Sequence, residues 1–111
     1  AVPAAAQTAS AGKGVFARAC ASCHYAPDKA DDQPRIGPSL KGVVGRKAGT
    51  LASFKRYSPA MKGYGKPWTE ANLDAYLAAP RTVVKGTTMG YVGLKDPKQR
   101  ADLIAYLKKP V

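Results

Sequence analysis

The chain has 111 residues, with 18 Lys and Arg against 7 Asp and Glu, for a formal charge of +11 at neutral pH. That length makes one small domain with a modest core of its own, and it contains no apolar run of about 18 residues to cross a membrane. The positive excess suggests acidic partners, with anionic lipid or solubility alone as alternatives; no recognition-helix, RNP-type or basic-aromatic pattern accompanies it, which makes nucleic acid the weak option.

Residues 1–9 are small and Ala-rich with one Pro, and read as a flexible arm ahead of a single domain over residues 10–111. The arm lacks a basic n-region and an apolar h-region, as expected of a mature chain after removal of a signal peptide. Ser10 is expected to cap a first helix running to about Ala21, with Val15, Phe16 and Ala19 at helical spacing and Phe16 facing inward.

That helix leads into Cys20-Ala21-Ser22-Cys23-His24, which holds both cysteines and the only histidine of the chain. Each thiol can add across a haem vinyl group to give a thioether, and the two-residue gap lets both sulfurs reach one porphyrin edge. The next residue then aims an imidazole nitrogen at the iron. The string is the attachment pattern of a c-type haem, with His24 as proximal ligand. A redox-active dithiol would sit in a βαβ setting, and no parallel-strand pattern surrounds these cysteines. Zinc would take about four N or S ligands, against two Cys and one His here. A Cys20–Cys23 disulfide leaves His24 without a role. One covalent haem, with its iron, is the reading that uses all three residues. Its attachment to reduced thiols takes place outside the cytoplasm, so an exported protein is implied.

Downstream, Pro27 to Pro34 is a polar, acidic loop, and Gly37 to Gly49 is Gly-rich without periodicity, as expected of a loop wrapped around an object. Ser58-Pro59 reads as N-cap and first helical residue of a short helix over Ala60 and Met61. Thr69 caps another helix with Leu73, Tyr76 and Leu77 on one face, ended by Pro80. Residues 81–94 form a second Gly-rich loop containing Met89. Asp96-Pro97-Lys98-Gln99 starts a last helix, with Gln99 at the N3 position of a capping box. Leu103, Ile104 and Leu107 give that helix its apolar stripe, and Pro110 stops it. Four to five helices, long loops and almost no strand pattern define an all-α fold whose loops need a surface to pack on. A buried haem supplies that surface.

Haem iron has two axial positions, and His24 fills one. The other is open to methionine, lysine, tyrosine or nothing. Met61, in a short helix, suits core filling. Met89, in Lys85-Gly86-Thr87-Thr88-Met89-Gly90, lies in a loop able to cross the opposite face and is favoured. A thioether opposite an imidazole raises the reduction potential, because soft sulfur favours Fe(II), and closes the iron to small ligands. That combination favours electron transfer over catalysis.

Several ordered blocks then stand out: Phe16 with Cys20 to His24; Gly37-Pro38-Ser39-Leu40; Gly45-Arg46-Lys47; Tyr57-Ser58-Pro59-Ala60-Met61; Trp68-Thr69-Glu70 with Leu73, Tyr76 and Leu77; Gly86 to Met89; and Asp102 to Leu107. In order and spacing they resemble class I cytochrome c of the soluble mitochondrial and alphaproteobacterial type, over about residues 10–109. The resemblance implies the small cytochrome c fold, with haem bound covalently by Cys20 and Cys23 and His24 and Met89 as axial ligands. It implies that the Pro38 carbonyl accepts a hydrogen bond from the His24 imidazole. Arg46, Tyr57, Ser58 and Trp68 match positions around a buried haem propionate, and Tyr76 and Thr87 match residues around the methionine. Lys85 departs from a usual proline, Met61 from a common asparagine, Ala19 from a common lysine and Tyr91 from a common phenylalanine. An extra residue lies between Phe54 and Tyr57.

The function expected is that of a diffusible, monomeric one-electron carrier and not an enzyme. Basic residues including Arg81, Lys85 and Lys95 would steer it to acidic faces of a reductase and an oxidase, in brief, salt-sensitive encounters. Two other readings are a haem enzyme or gas sensor with an open sixth position, and a docking module of a larger oxidoreductase. The Tyr57 to Met61 block and the N-terminal arm favour the periplasm over the mitochondrial intermembrane space.

Overall fold

The computed structural model describes residues 8–21, 23, 24, 27, 37, 40–50, 57–87, 89 and 91–110. Five helices form among them: α1 (Ala9–Ala19), α2 (Pro59–Tyr64), α3 (Glu70–Ala78), α4 (Pro80–Val83) and α5 (Pro97–Lys108). The described residues contain no strand, only an isolated antiparallel bridge between Lys47 and Pro67. The all-α expectation is met. No helix among the described residues is long and apolar enough to cross a membrane.

The N-caps follow local chemistry. Ser58 and Thr69 cap α2 and α3 through their hydroxyls, which accept from the Met61 and Asn72 N–H groups at 3.1 Å in each case. Asp96 caps α5 by accepting from the Lys98 N–H at 2.9 Å, with Pro97 at the first helical position, where its missing N–H costs nothing. The first helix departs from expectation. Thr8, not Ser10, is its cap, accepting from the Ala11 N–H at 3.2 Å, and the helix ends at Ala19. A second departure lies after α3. Ala79 leaves the helical region, at φ −154° and ψ 76°, as the residue before a proline tends to, and Pro80 opens the single turn of α4 inside what reads as loop.

The core is built on the crossing of α1 with α5. Val15 and Phe16 meet Leu103, Ile104, Tyr106 and Leu107, all buried, with the Phe16 and Tyr106 rings 5.8 Å apart between centroids. Gly12 permits the close approach: a Cβ there would lie 2.8 Å from the Tyr106 Cβ and collide with the Asp102 carbonyl. A mid-helix glycine costs about 1 kcal/mol relative to alanine, and here contact between the two helices offsets it. α3 packs on α4 and α5, so one end of the molecule is a three-sided helical frame.

Asp102 locks that frame. Its carboxylate, 4% exposed as a residue, accepts from the Thr8 backbone N–H at 3.0 Å and from the Lys98 ammonium at 2.8 Å. Burial alone pushes its pKa up; the Lys98 ammonium and the Thr8 N–H outweigh that and hold the carboxyl below its ordinary range. A depressed folded-state pKa contributes stability that is present above the unfolded value of about 3.9 and is lost as pH falls through the folded value. Asp102→Asn is therefore expected to cost about 1–3 kcal/mol at neutral pH, with the gap to wild type narrowing below about pH 4. Denaturant titrations at pH 7 and pH 3 check this; an equal loss at both contradicts it.

Candidate haem site

The end of α1 presents the cysteines. Cys20 is its C-cap, with its N–H on the Phe16 carbonyl at 2.8 Å, and the chain then turns so that the Cys23 and His24 N–H groups both reach the Cys20 carbonyl, at 3.1 and 3.0 Å. The turn gathers the two thiols and the imidazole at one place. Gly37 closes it from the far side of the loop, donating to the Cys23 carbonyl at 2.9 Å. A Cβ at Gly37 would lie 2.8 Å from both His24 ring nitrogens, so only glycine lets the backbone pass the imidazole.

Two segments make the opposite rim. Gly45 N–H donates to the Trp68 carbonyl and Trp68 N–H to the Arg46 carbonyl, both at 2.8 Å, which fixes Arg46 beside Trp68. Trp68 is buried between Tyr64 and Tyr76, with ring centroids 5.2 and 5.0 Å away. Arg46 reaches the Lys41 carbonyl through Nη1 at 3.3 Å, and burial lowers its pKa while Tyr57 opposes that shift. A guanidinium made costly by desolvation is stabilised by an incoming carboxylate. Ser58, buried, uses an oxygen lone pair to cap α2 and keeps its O–H proton for donation.

The third side is the Met89 segment. Tyr76 Oη lies 3.0 Å from Thr87 Oγ1 and donates to Met89 Sδ at 3.3 Å, while the Met89 N–H donates to Thr87 Oγ1 at 3.3 Å. With Thr87 donating to Tyr76, the three residues close a ring of hydrogen bonds around the thioether. Burial raises the Tyr76 pKa and the Thr87 bond opposes it, so the phenol stays a donor at neutral pH.

These sides face a single cavity lined by Cys20, Cys23, His24, Arg46, Tyr57, Ser58, Trp68, Tyr76, Thr87 and Met89. Every site residue expected from the sequence is among them except Pro38, which lies outside the described residues, as does the segment said to carry an extra residue. Leu40, Val43, Leu73, Leu77, Leu103 and Leu107 supply its apolar walls. Leu73, Leu77, Leu103 and Leu107 read in sequence as helix stripes; Leu40 and Val43 carry no periodic signal in their Gly-rich loop. Met61 lines the cavity too, so position alone does not separate the two methionines. The space measures about 1060 Å³ including its solvent-open part.

The donor set fits haem. Apolar walls suit the macrocycle, two thiols and an imidazole stand on one side, and Arg46, Tyr57, Ser58 and Trp68 offer donors for carboxylates. Zinc would take about four N or S ligands, against the two thiols and one imidazole gathered here. A catalytic dithiol would carry a lowered thiol pKa, whereas burial, then the neighbouring Cys23, pushes Cys20 up to about 11.

Residues 9–109 match the family profile described as Cytochrome c. The chain belongs to the cytochrome c family. It is 49% identical to cytochrome c2 of Rhodomicrobium vannielii, over 86% of this chain and 74% of that one. It is 43% identical to cytochrome c of Guizotia abyssinica, over 90% and 87% respectively. Among solved structures, cytochrome cH from Methylobacterium extorquens superposes with a TM-score of 0.82 at 44% identity, covering 91% of this chain and 97% of that one. Haem c is the cofactor of this cytochrome and electron transport its activity. The expected class I cytochrome c fold and family are thereby established.

Proposed function

We propose that this cytochrome is a one-electron carrier with His24 and Met89 as axial ligands, performing no bond-making chemistry of its own. When bound, haem supplies an iron that cycles between Fe(III) and Fe(II). Cys20 and Cys23 hold it as thioethers, and His24, buried beside Gly37, presents its imidazole from the same turn. Pro38 follows from family resemblance as the acceptor that orients that imidazole. Arg46, Tyr57, Ser58 and Trp68 bind the buried propionate, the guanidinium and the carboxylate relieving each other's desolvation.

The observation that supports Met89 over Met61 is the Tyr76 O–H on its sulfur, within the ring completed by Thr87. That ring fixes the direction of the remaining sulfur lone pair, and α2 gives Met61 a place in the wall as packing. A donor on the thioether also withdraws electron density from it, which favours the reduced iron.

Arg81, Lys85 and Lys95 are exposed around the Met89 segment. They support docking on acidic faces of a reductase and an oxidase, weakening as salt screens the charges. Similarity to a bacterial cytochrome c2 supports a periplasmic location over the mitochondrial intermembrane space. The alternative of a haem enzyme or gas sensor needs an open sixth position. Carbon monoxide added to the reduced holoprotein tests this: the spectrum is expected to stay unchanged, and ready binding would transfer the protein to that class.

A further inference from the structure

We propose that Arg100 is a positioning residue that holds Met89 at the iron by clamping the far end of the ligand arm to α3. The proposal rests on the reading of Met89 as axial ligand. The arm leaves α4 at Val84, where the Thr87 N–H reaches the Val84 carbonyl at 3.0 Å, and returns to the helical frame at Leu94. Its return is fixed by one guanidinium together with two neighbouring bonds to α3. Arg100, in the first turns of α5 with its side chain only 12% exposed, donates from Nε to Asp74 on α3 at 2.7 Å. Its Nη1 donates to the Leu94 carbonyl at 2.8 Å and the Lys95 carbonyl at 3.1 Å. Beside it the Leu94 N–H donates to the Leu77 carbonyl at 2.7 Å, and the Lys95 ammonium donates to the Ala78 carbonyl at 2.5 Å.

Arg100 thus binds two elements at once, the middle of α3 and the strap that follows Met89. Gly93 lets the strap lie this close, since at φ 117° a Cβ there would collide with the Ala78 carbonyl. A fixed fork of donors suits this task and a single ammonium does not, because lysine cannot span the carboxylate and both carbonyls in one geometry. Without the fork the return end keeps only the Leu94–Leu77 backbone bond and the exposed Lys95–Ala78 bond, and the arm is held less firmly there than at its Val84 end. A longer free segment has more conformations to lose on closing, and the arm opens locally more often while the α1–α5 core stays folded.

Imidazole added to the oxidised holoprotein reads that opening. It competes for the position Met89 fills, so its apparent affinity rises in proportion to the fraction of open arm. Arg100→Ala is expected to bind imidazole about tenfold more tightly than wild type, equivalent to about 1.4 kcal/mol of lost arm retention. Arg100→Lys is expected to fall between the two, and Asp74→Asn, which weakens one of the three bonds, to show a smaller rise. Ile104→Val, a buried core change away from the cavity, serves as control: it lowers the denaturant midpoint and leaves imidazole affinity unchanged. Arg100→Ala binding imidazole as wild type does overturns the proposal, as does an equal rise in Ile104→Val, which would make the effect one of general stability. A wild-type spectrum without a sulfur–iron band would instead remove the ligand assignment beneath it.

Discussion

A haem-free chain, made as Cys20→Ser with Cys23→Ser and purified without cofactor, is expected to lose cooperative thermal unfolding and most of its helical circular dichroism. Leu40, Val43, Leu73, Leu77, Leu103 and Leu107 all contribute to the cavity wall. Burying one such side chain is worth about 1.5–3 kcal/mol. If each forfeits half of that when nothing apolar faces it, the loss is about 4.5–9 kcal/mol. A domain of this size has about 5–15 kcal/mol in total. The loss falls on both α3 and α5, so the helices are left with little beyond the α1–α5 crossing to hold them. A sharp melt in the haem-free chain would show that the α1–α5 crossing, with Phe16 and Tyr106 at its centre, sustains the fold alone.

Met89→Ala in the holoprotein is expected to lower the reduction potential by on the order of a hundred millivolts, within the roughly 0.8 V that axial ligands command. It is also expected to open the reduced iron to carbon monoxide. The direction follows from softness: removing the thioether removes the ligand that favours Fe(II), and water or hydroxide favours Fe(III). Met61→Ala alters the same cavity but has only packing to lose, about 1 kcal/mol for a half-buried methionine, and its potential is expected to move far less. Equal shifts in the two variants would mean that the pocket's polarity, and not ligation, sets the potential.

What was legible in the sequence was what local spacing controls. Cys20 to His24 declares itself because thiols and imidazole must share one turn, and the Ser58, Thr69 and Asp96 caps because a side-chain oxygen reaches its own backbone two or three residues on. What escaped was set by distant partners. Thr8 caps α1 in place of Ser10 because its own N–H is held by Asp102, 94 residues away. Gly12, a poor helix former by propensity, is the contact point of the two main helices. Arg46 meets Trp68 through backbone bonds across a Gly-rich loop that shows no periodicity. The single turn of α4 was hidden by a proline that ends one helix and begins the next. Family resemblance put Arg46, Trp68, Tyr76 and Thr87 in the site, where periodicity put only Tyr76 on a helix face and was silent on the other three. Nothing in spacing marked Arg100, whose three acceptors come together only when α3, α5 and the strap are assembled.

The most direct measurement is the absorption spectrum of the oxidised holoprotein at the red end, where a weak band reports sulfur bound to Fe(III). Wild type and Met61→Ala are expected to show the band, and Met89→Ala to lack it. Its absence from wild type, or its survival in Met89→Ala, would contradict a closed His24–Met89 carrier.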